Sequence, residues 1–472
     1  MMRLSVLFLL AFGILPAQDA ELVLRTSVSY RTMLASRPLA PAQKEEADQL
    51  SAAARASAAS GKYGEAMRHL AQGTALMMGE PWSPALELAS SFQARVDHAV
   101  PAPGASIQLT LTPLYPTVRP LTAPMSLAVY LRQPGATPGA PLVDPVEIDP
   151  SKLPITVAAL LPSGVTGNYE LLVRLRSEKL NLPGRSVPIQ IVSLGDSVEA
   201  LNKRLRKTAN PTAEYAVALY ERADQGAILP HRIDFAREFL RANSILNAVG
   251  AGRDPFAGQT GDIRKAYRSP VDETLQPYRL FIPSAYDGSQ PVPLLIALHG
   301  MGGDENSMFD GYEGRLKQEA EKRGILVAAP KGRNPASMYR DTAEKDVLDV
   351  LAEVRRDYRI DPRRIFLMGH SMGAYGTWSI AVNHPDLFTA LGPVSGGGAP
   401  AGMAKIKHIP QYVVHGDNDK TVSVEQSRGM VAAAKALSAP VTYVEVPGGS
   451  HSDIVVPNFA PMLDYFLAKT QP

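Results

Sequence analysis

The chain has 472 residues, with 48 Lys and Arg against 46 Asp and Glu, a formal net charge of +2, and no cysteine. At about 150 residues per domain this length suggests two to four domains, and the balanced charge gives no electrostatic reason for a nucleic-acid partner or an anionic membrane. Without cysteine there are no disulfides, no thiolate zinc site and no cysteine nucleophile, so stability must come from packing, which a chain of this size can supply.

Arg3 followed by the apolar run Leu4 to Leu15 and a small-residue zone near Ala17 to Ala20 predicts a signal peptide over residues 1–20. The run is shorter than the ~20 residues a spanning helix needs. The expectation is therefore a secreted or periplasmic protein with no membrane span after cleavage. Residues 21–98 read as a helical N-terminal segment, with two alanine-rich stretches between 40 and 78 split by Gly61 as a helical hairpin. The second stretch faintly resembles half of a tetratricopeptide repeat through Gly61, Tyr63 and Ala66, but a solenoid needs about three or more copies and only one is found.

Over 99–195 the pattern turns to period two, in Ile107, Leu109, Leu111, then Met125, Leu127, Val129, Leu131, and again around Leu171 and Ile189. Frequent Pro and Gly between these runs predict short antiparallel strands in a small β-sandwich-like domain. Residues 196–262 return to helical spacing as a connector, and Gly250 to Gly261 reads as a flexible boundary.

The region 270–472 alternates strands and helices. Strands are predicted at Tyr278 to Ile282, Leu294 to Leu298, Ile325 to Ala329, Ile365 to Met368, Tyr412 to Val414 and Val441 to Val446. The last five are mostly continuous apolar runs, as in strands buried on both faces of a parallel sheet. Val347, Val350, Leu351, Val354 and Tyr358 mark one face of an amphipathic helix. The fold class is α/β, with a doubly wound sheet at the C-terminus.

One of these strands runs into Gly369-His370-Ser371-Met372-Gly373, and a helical pattern follows. A serine in this G-x-S-x-G context sits in a strained strand-to-helix turn that lifts its oxygen above the sheet, and only small flanking residues avoid collision there. Ser371 is thus the candidate nucleophile of an α/β-hydrolase. An acid and then a histidine should follow it in the chain. Tyr412 to Asp419 supplies the acid, Asp419, with Asp417 as runner-up that shapes the turn. Gly448-Gly449-Ser450-His451 supplies the base, while Asp453 reads as a solvated cap for the last helix.

In this scheme His451 takes the serine proton and returns it to the leaving group, and Asp419 orients the ring and stabilises the imidazolium. Two backbone amides should face the oxyanion: Met372, after the nucleophile, and Met301, in the turn His299-Gly300-Met301-Gly302-Gly303. His370 and His299 read as positioning residues, His415 and His384 as structural, and Gly396 to Gly398 as a turn lining the site. No metal-ligand spacing, phosphate loop or dinucleotide fingerprint is found, so neither metal nor cofactor is expected.

These segments resemble the exported α/β-hydrolases related to polyhydroxybutyrate depolymerases and feruloyl esterases, often catalogued as predicted peptidases of the prolyl oligopeptidase type. The similarity lies in Tyr278 to Pro283, Leu294 to Gly303, Asp346 to Trp378, His384 to Phe388 and His415 to Asp419, about 200 residues in all. It does not reach the front half, and Ala374 stands where the family often carries glycine. The resemblance implies hydrolysis of an ester or amide through an acyl-enzyme. Only a short connection separates Ser395 from Tyr412, where many lipases carry a lid. An open site suits a soluble short-acyl or aromatic-acyl ester, or one on a polymer. A serine peptidase is the second reading, and an inactive binding protein the third; the oligomeric state is left open.

Overall fold

A computed structural model describes residues 16–118, 125–149, 152–177, 180–181, 184–194, 198–226 and 228–469. Most of the expected signal peptide therefore lies outside the described residues, and helix α1 (Pro16–Ser36) begins within its small-residue zone. Among the described residues no helix is long and apolar enough to cross a membrane. The chain divides into two compact units, Met1–Gly195 with Leu219–Glu238, and Asp196–Ala218 with Phe239–Pro472.

In the first unit the helical hairpin is α2 (Pro41–Ala59) and α3 (Tyr63–Met78), which pack on α1 through Tyr30, Ala47, Ala54, Ala66 and Leu70. Gly73 makes this packing possible, since a Cβ there would fall 2.0 Å from the Tyr30 hydroxyl, and that hydroxyl donates to Ala47 O at 2.7 Å. After α4 (Pro84–Ser90) come β1 (Phe92–Val96), β2 (Ser106–Pro113), β3 (Met125–Arg132), β4 (Pro141–Ile148), β5 (Ile155–Leu160), β6 (Gly167–Ser177), β7 (Leu180–Asn181) and β8 (Arg185–Ile191). They form two antiparallel sheets, β1-β2-β5 and β4-β3-β6-β7, with β8 paired to β6. Ile107, Leu109, Leu111, Leu127, Val129, Leu171 and Ile189 are buried, as period two requires. Strand β4 was not legible in the sequence because only Ile148 of its residues is buried, so no apolar face marks it.

Three helices follow, α5 (Val198–Leu205), α6 (Pro211–Asp224) and α7 (Phe235–Gly250). The second unit then lays down β9 (Gly261–Arg268), β10 (Leu275–Ile282), β11 (Val292–Leu298), α8 (Ser307–Asp310), α9 (Arg315–Arg323), β12 (Leu326–Pro330), α10 (Thr342–Asp357), β13 (Ile360–His370), α11 (Met372–Asn383), β14 (Ala390–Val394), β15 (Gln411–Gly416), α12 (Glu425–Ala436), β16 (Val441–Val446) and α13 (Val455–Leu467). These strands form one sheet in the order β16-β15-β14-β13-β11-β12-β10-β9. Strands β11 to β16 pair in parallel, and β10 is antiparallel to both β12 and β9.

Alternate residues of each central strand enter opposite cores. Leu294, Ile296, Ala328, Ile365 and Leu367 pack with Val347, Val350, Trp378 and Met430 of α10, α11 and α12. Leu295, Ala297, Phe366 and Met368 pack with Leu316, Phe459, Met462 and Phe466 of α9 and α13. The sheet is covered on both faces, which is why its strands read as continuous apolar runs. Because the central strands are parallel, the turns after β11, β13, β14, β15 and β16 all leave from one edge of the sheet.

Candidate active site

Ser371 links β13 to α11 at φ 56° and ψ −117°, a conformation that costs a non-glycine residue about 1–3 kcal/mol. The flanking glycines are steric necessities. A Cβ on Gly369 would lie 2.2 Å from Gly373 O, and one on Gly373 would lie 2.3 Å from Leu298 O. Ser371 stands at the N-terminus of α11, where unpaired amides and the helix dipole favour negative charge.

The turn after β11 lies against the serine, for a Cβ on Gly300 would sit 3.3 Å from the Ser371 Cβ. Of the three glycines in this turn, only Gly302 uses a left-handed conformation, at φ 84°. Gly303 is instead needed for close approach, because a Cβ there would crowd Ser307 Oγ and His299 Nδ1. The turn is fixed by Gly302 N–H donating to Pro335 O at 2.7 Å and Gly303 N–H to Gly300 O at 3.1 Å. Tyr339, fully buried, accepts from His299 N–H at 2.9 Å. His299 lies between Gly300 O at 2.8 Å and Lys331 O at 2.7 Å, a positioning arrangement.

Asp419 follows β15 and His451 follows β16, adjacent parallel strands. His451 Nδ1 lies 2.6 Å from Asp419 Oδ2. The other oxygen, Oδ1, accepts Thr421 N–H at 2.8 Å and Val422 N–H at 2.9 Å. His415 Nε2 also approaches Oδ2, at 3.2 Å. Burial opposes charge on Asp419, but the hydrogen bonds from His415 and His451 outweigh it and hold the carboxyl well below the usual carboxylate range. His415 thus touches the acid itself, a role that its place inside a buried strand did not announce. Its Nδ1 is 2.7 Å from Ser427 Oγ, which in turn lies 2.9 Å from Gly396 O.

A second set of contacts holds the His451 backbone. His451 O accepts from Ser395 Oγ–H at 3.0 Å and from His370 Nε2–H at 2.8 Å. With Nε2 as donor, His370 Nδ1 is the acceptor for the Tyr312 hydroxyl at 2.8 Å. Burial, with a smaller contribution from nearby His451, pushes His370 down to about 4, and burial pushes the Tyr312 phenol up to about 12. Both groups are therefore neutral near pH 7. Tyr312 is a contributor the sequence pattern missed, because its hydroxyl crosses from another loop to reach His370.

The remaining candidates fall into place around this core. Asp417 accepts Gly448 N–H at 2.7 Å, which ties together the turns after β15 and β16. Asp453 does not cap α13; it accepts Ser450 N–H at 2.8 Å and closes the loop that carries His451. His384 pairs with Glu344 at 2.8 Å. Gly396 lies against the elbow, since a Cβ there would fall 2.4 Å from the Ala374 Cβ; the bare glycine makes room for the alanine methyl. Among the described residues no group of three or more His, Asp or Glu could hold a metal ion.

Comparison with known proteins adds a family. Residues 276–446 match the Esterase family, described as "Putative esterase". The chain is 30% identical over 190 residues to "Probable feruloyl esterase C" of Aspergillus oryzae, covering 38% of this chain and 68% of that protein. It is 28% identical over 142 residues to the bifunctional acetylxylan esterase/xylanase XynS20E of Neocallimastix patriciarum, covering 29% of this chain but only 21% of that longer protein. Among solved structures, an S-formylglutathione hydrolase from Staphylococcus aureus aligns with a TM-score of 0.40 at 17% identity, over 44% of this chain and 97% of the other. The chain belongs to the α/β-hydrolase esterases of the feruloyl esterase-like group, hydrolases of carboxylic esters.

Proposed function

We propose that this protein is a serine carboxylesterase that works through an acyl-enzyme, with Ser371 as nucleophile, His451 as general base and acid, and Asp419 as the carboxylate that orients it. The observation that carries this reading is the 2.6 Å contact between His451 Nδ1 and Asp419 Oδ2, on strands that release their loops at the same sheet edge as the strained Ser371 elbow. Attack by the Ser371 oxygen on the ester carbonyl passes its proton to His451, and collapse of the tetrahedral intermediate returns it to the leaving alcohol. Water then repeats the sequence on the acyl-enzyme. The Met301 and Met372 amides are assigned to the developing oxyanion. Neither donates to another backbone group among the described residues, and α11 adds its dipole at Met372.

The substrate class proposed is a short-acyl or aromatic-acyl ester, free or borne on a polymer. Between β14 and β15 the chain makes only a short 3₁₀ turn at Pro400–Lys405, and Met301, in the turn after β11, is 40% exposed. Both features suit an open site. The names of the feruloyl and acetylxylan esterase relatives support the same class. Export is proposed with it, from Arg3 and the apolar run after it.

Hydrolysis of p-nitrophenyl acetate near pH 8, where an ordinary imidazole is the free base, tests the reading. The unaltered chain is expected to turn over and Ser371→Ala to lose activity by several orders of magnitude. Strong activity on long-chain triglyceride emulsions with little on short esters would overturn the substrate class.

A further inference from the structure

The second unit carries an open groove of about 880 Å³ that shares no residue with the candidate active site. It is bordered by β9, by the corner between α10 and β13, by the start of α6 and by the loop Asp254 to Gln259. Tyr358 lies just before β13 and Ser371 just after it. At about 3.3 Å per residue, the 11-residue strand puts the groove about 35 Å from the nucleophile, at the opposite edge of the sheet.

The chemistry of the lining narrows what can bind. Its aromatic lining comes from Phe256, Tyr267, Tyr286 and Tyr358, with the Tyr286 and Tyr358 rings 5.9 Å apart. A cage of rings suits an organic cation, but the place for one is already taken. The Lys265 ammonium lies 4.6 Å from the Phe256 ring centre and 5.4 Å from that of Tyr358. A second cation would be repelled there.

An anion is no better served. Four carboxylates line the groove, from Asp254, Asp287, Glu353 and Asp357, against the three cations Lys265, Arg268 and Arg356. The cations are already engaged. Asp357 Oδ2 accepts Lys265 at 2.6 Å, its Oδ1 accepts Arg356 at 2.8 Å, and Arg356 makes a two-pronged pair with Glu353. Arg268 pairs with Glu214.

What remains is a wall of rings beside carboxylates whose oxygens keep spare lone pairs: Glu353 and Asp357 are paired with Arg356 and Lys265, while Asp254 and Asp287 make no ion pair among the described residues. The Tyr358 hydroxyl at this wall is buried and has no hydrogen-bond partner among the described residues. Such a surface matches a neutral polyhydroxylated ligand, whose C–H faces stack on rings and whose hydroxyls both donate and accept. We propose that this groove is a second binding site, for a neutral oligosaccharide, separate from the centre that hydrolyses the ester. A polymer chain held there would keep the enzyme on its substrate while another stretch occupies the catalytic edge.

The test is isothermal titration of the full Ser371→Ala chain with xylohexaose and cellohexaose, with oligogalacturonate as anionic probe and choline as cationic probe. No hydrolysis enters the measurement, so failure of this site and failure of the esterase reading are seen in different experiments. At least one neutral hexaose is expected to bind with a Kd of about 1 mM or tighter, which is about −4 kcal/mol. Tyr286→Ala should weaken binding at least about ten-fold. Arg356→Ala, at an exposed side chain whose loss leaves the core intact, should weaken it at least about three-fold with an unchanged melting temperature. The proposal is overturned if neither hexaose binds at about 10 mM, if Arg356→Ala and Tyr286→Ala bind as the parent does, or if oligogalacturonate or choline binds more tightly than both hexaoses.

Discussion

At the scale of single residues, the candidate site is held in part by groups that reach only the His451 backbone. His451 is fixed at its ring by Asp419 and at its carbonyl by His370 and Ser395. His370 is 5% exposed, and burial lowers its pKa from 6.5 to about 4. The unfolded chain therefore binds one more proton than the folded chain between those values, so this group's stabilisation is complete above about pH 6.5 and is lost as the pH falls toward 4. The loss amounts to about 3 kcal/mol at about 1.4 kcal/mol per pH unit. Asp419, with a depressed pKa, adds a further loss at still lower pH. His370→Gln, which can still donate to His451 O, should flatten the fall in urea-unfolding free energy between pH 6.5 and 4 by about that slope. An identical slope in the variant would contradict the account.

At the scale of elements, the strand-to-helix elbow depends on the absence of atoms. Gly373→Ala would place a methyl carbon 2.3 Å from the Leu298 carbonyl oxygen of the neighbouring strand. Backbone cannot yield as a flexible side chain can, so a loss of at least about 1–3 kcal/mol in unfolding free energy is expected, together with impaired ester turnover. A variant as stable and active as the parent would show that β11 and α11 are not held this close.

This elbow was legible because one short motif carries strand, turn and helix together. So were the central parallel strands, whose apolar runs need no partner to be recognised. Strand β9 was not. Arg264 and Lys265 are buried within it, 7% and 4% exposed, only because Glu305 and Asp357 meet them from distant positions in the chain. A polar residue buried by a long-range partner looks like a surface residue in sequence. For the same reason His415 read as structural and Tyr312 was not singled out, since each acts through a contact the chain makes only after folding.

At the scale of the whole molecule, the hydrolase pattern begins near residue 270, yet the sheet it belongs to begins with β9 at Gly261. Removing β9 would strip partners from Arg279, Glu305 and Asp357, which pair with Asp262, Arg264 and Lys265. Thr212, on α6, both donates to Ala266 O and accepts from Ala266 N–H along the β9 edge. Breaking a buried ion pair from one side costs about 3–5 kcal/mol. A fragment of residues 270–472 is therefore expected to be insoluble or to melt well below a fragment of 196–472, and equal melting temperatures would show that β9 is dispensable. The front half carried no motif that named a chemistry, and its two antiparallel sheets were visible only where a face is buried. The central claim, that Ser371 is an activated nucleophile, is tested most directly by treating the full chain with a fluorophosphonate and mapping the adduct by peptide mass spectrometry. One covalent adduct is expected, on Ser371, formed far more slowly in His451→Ala; an unlabelled Ser371, or labelling that does not depend on His451, would show that Ser371 is not the nucleophile His451 activates.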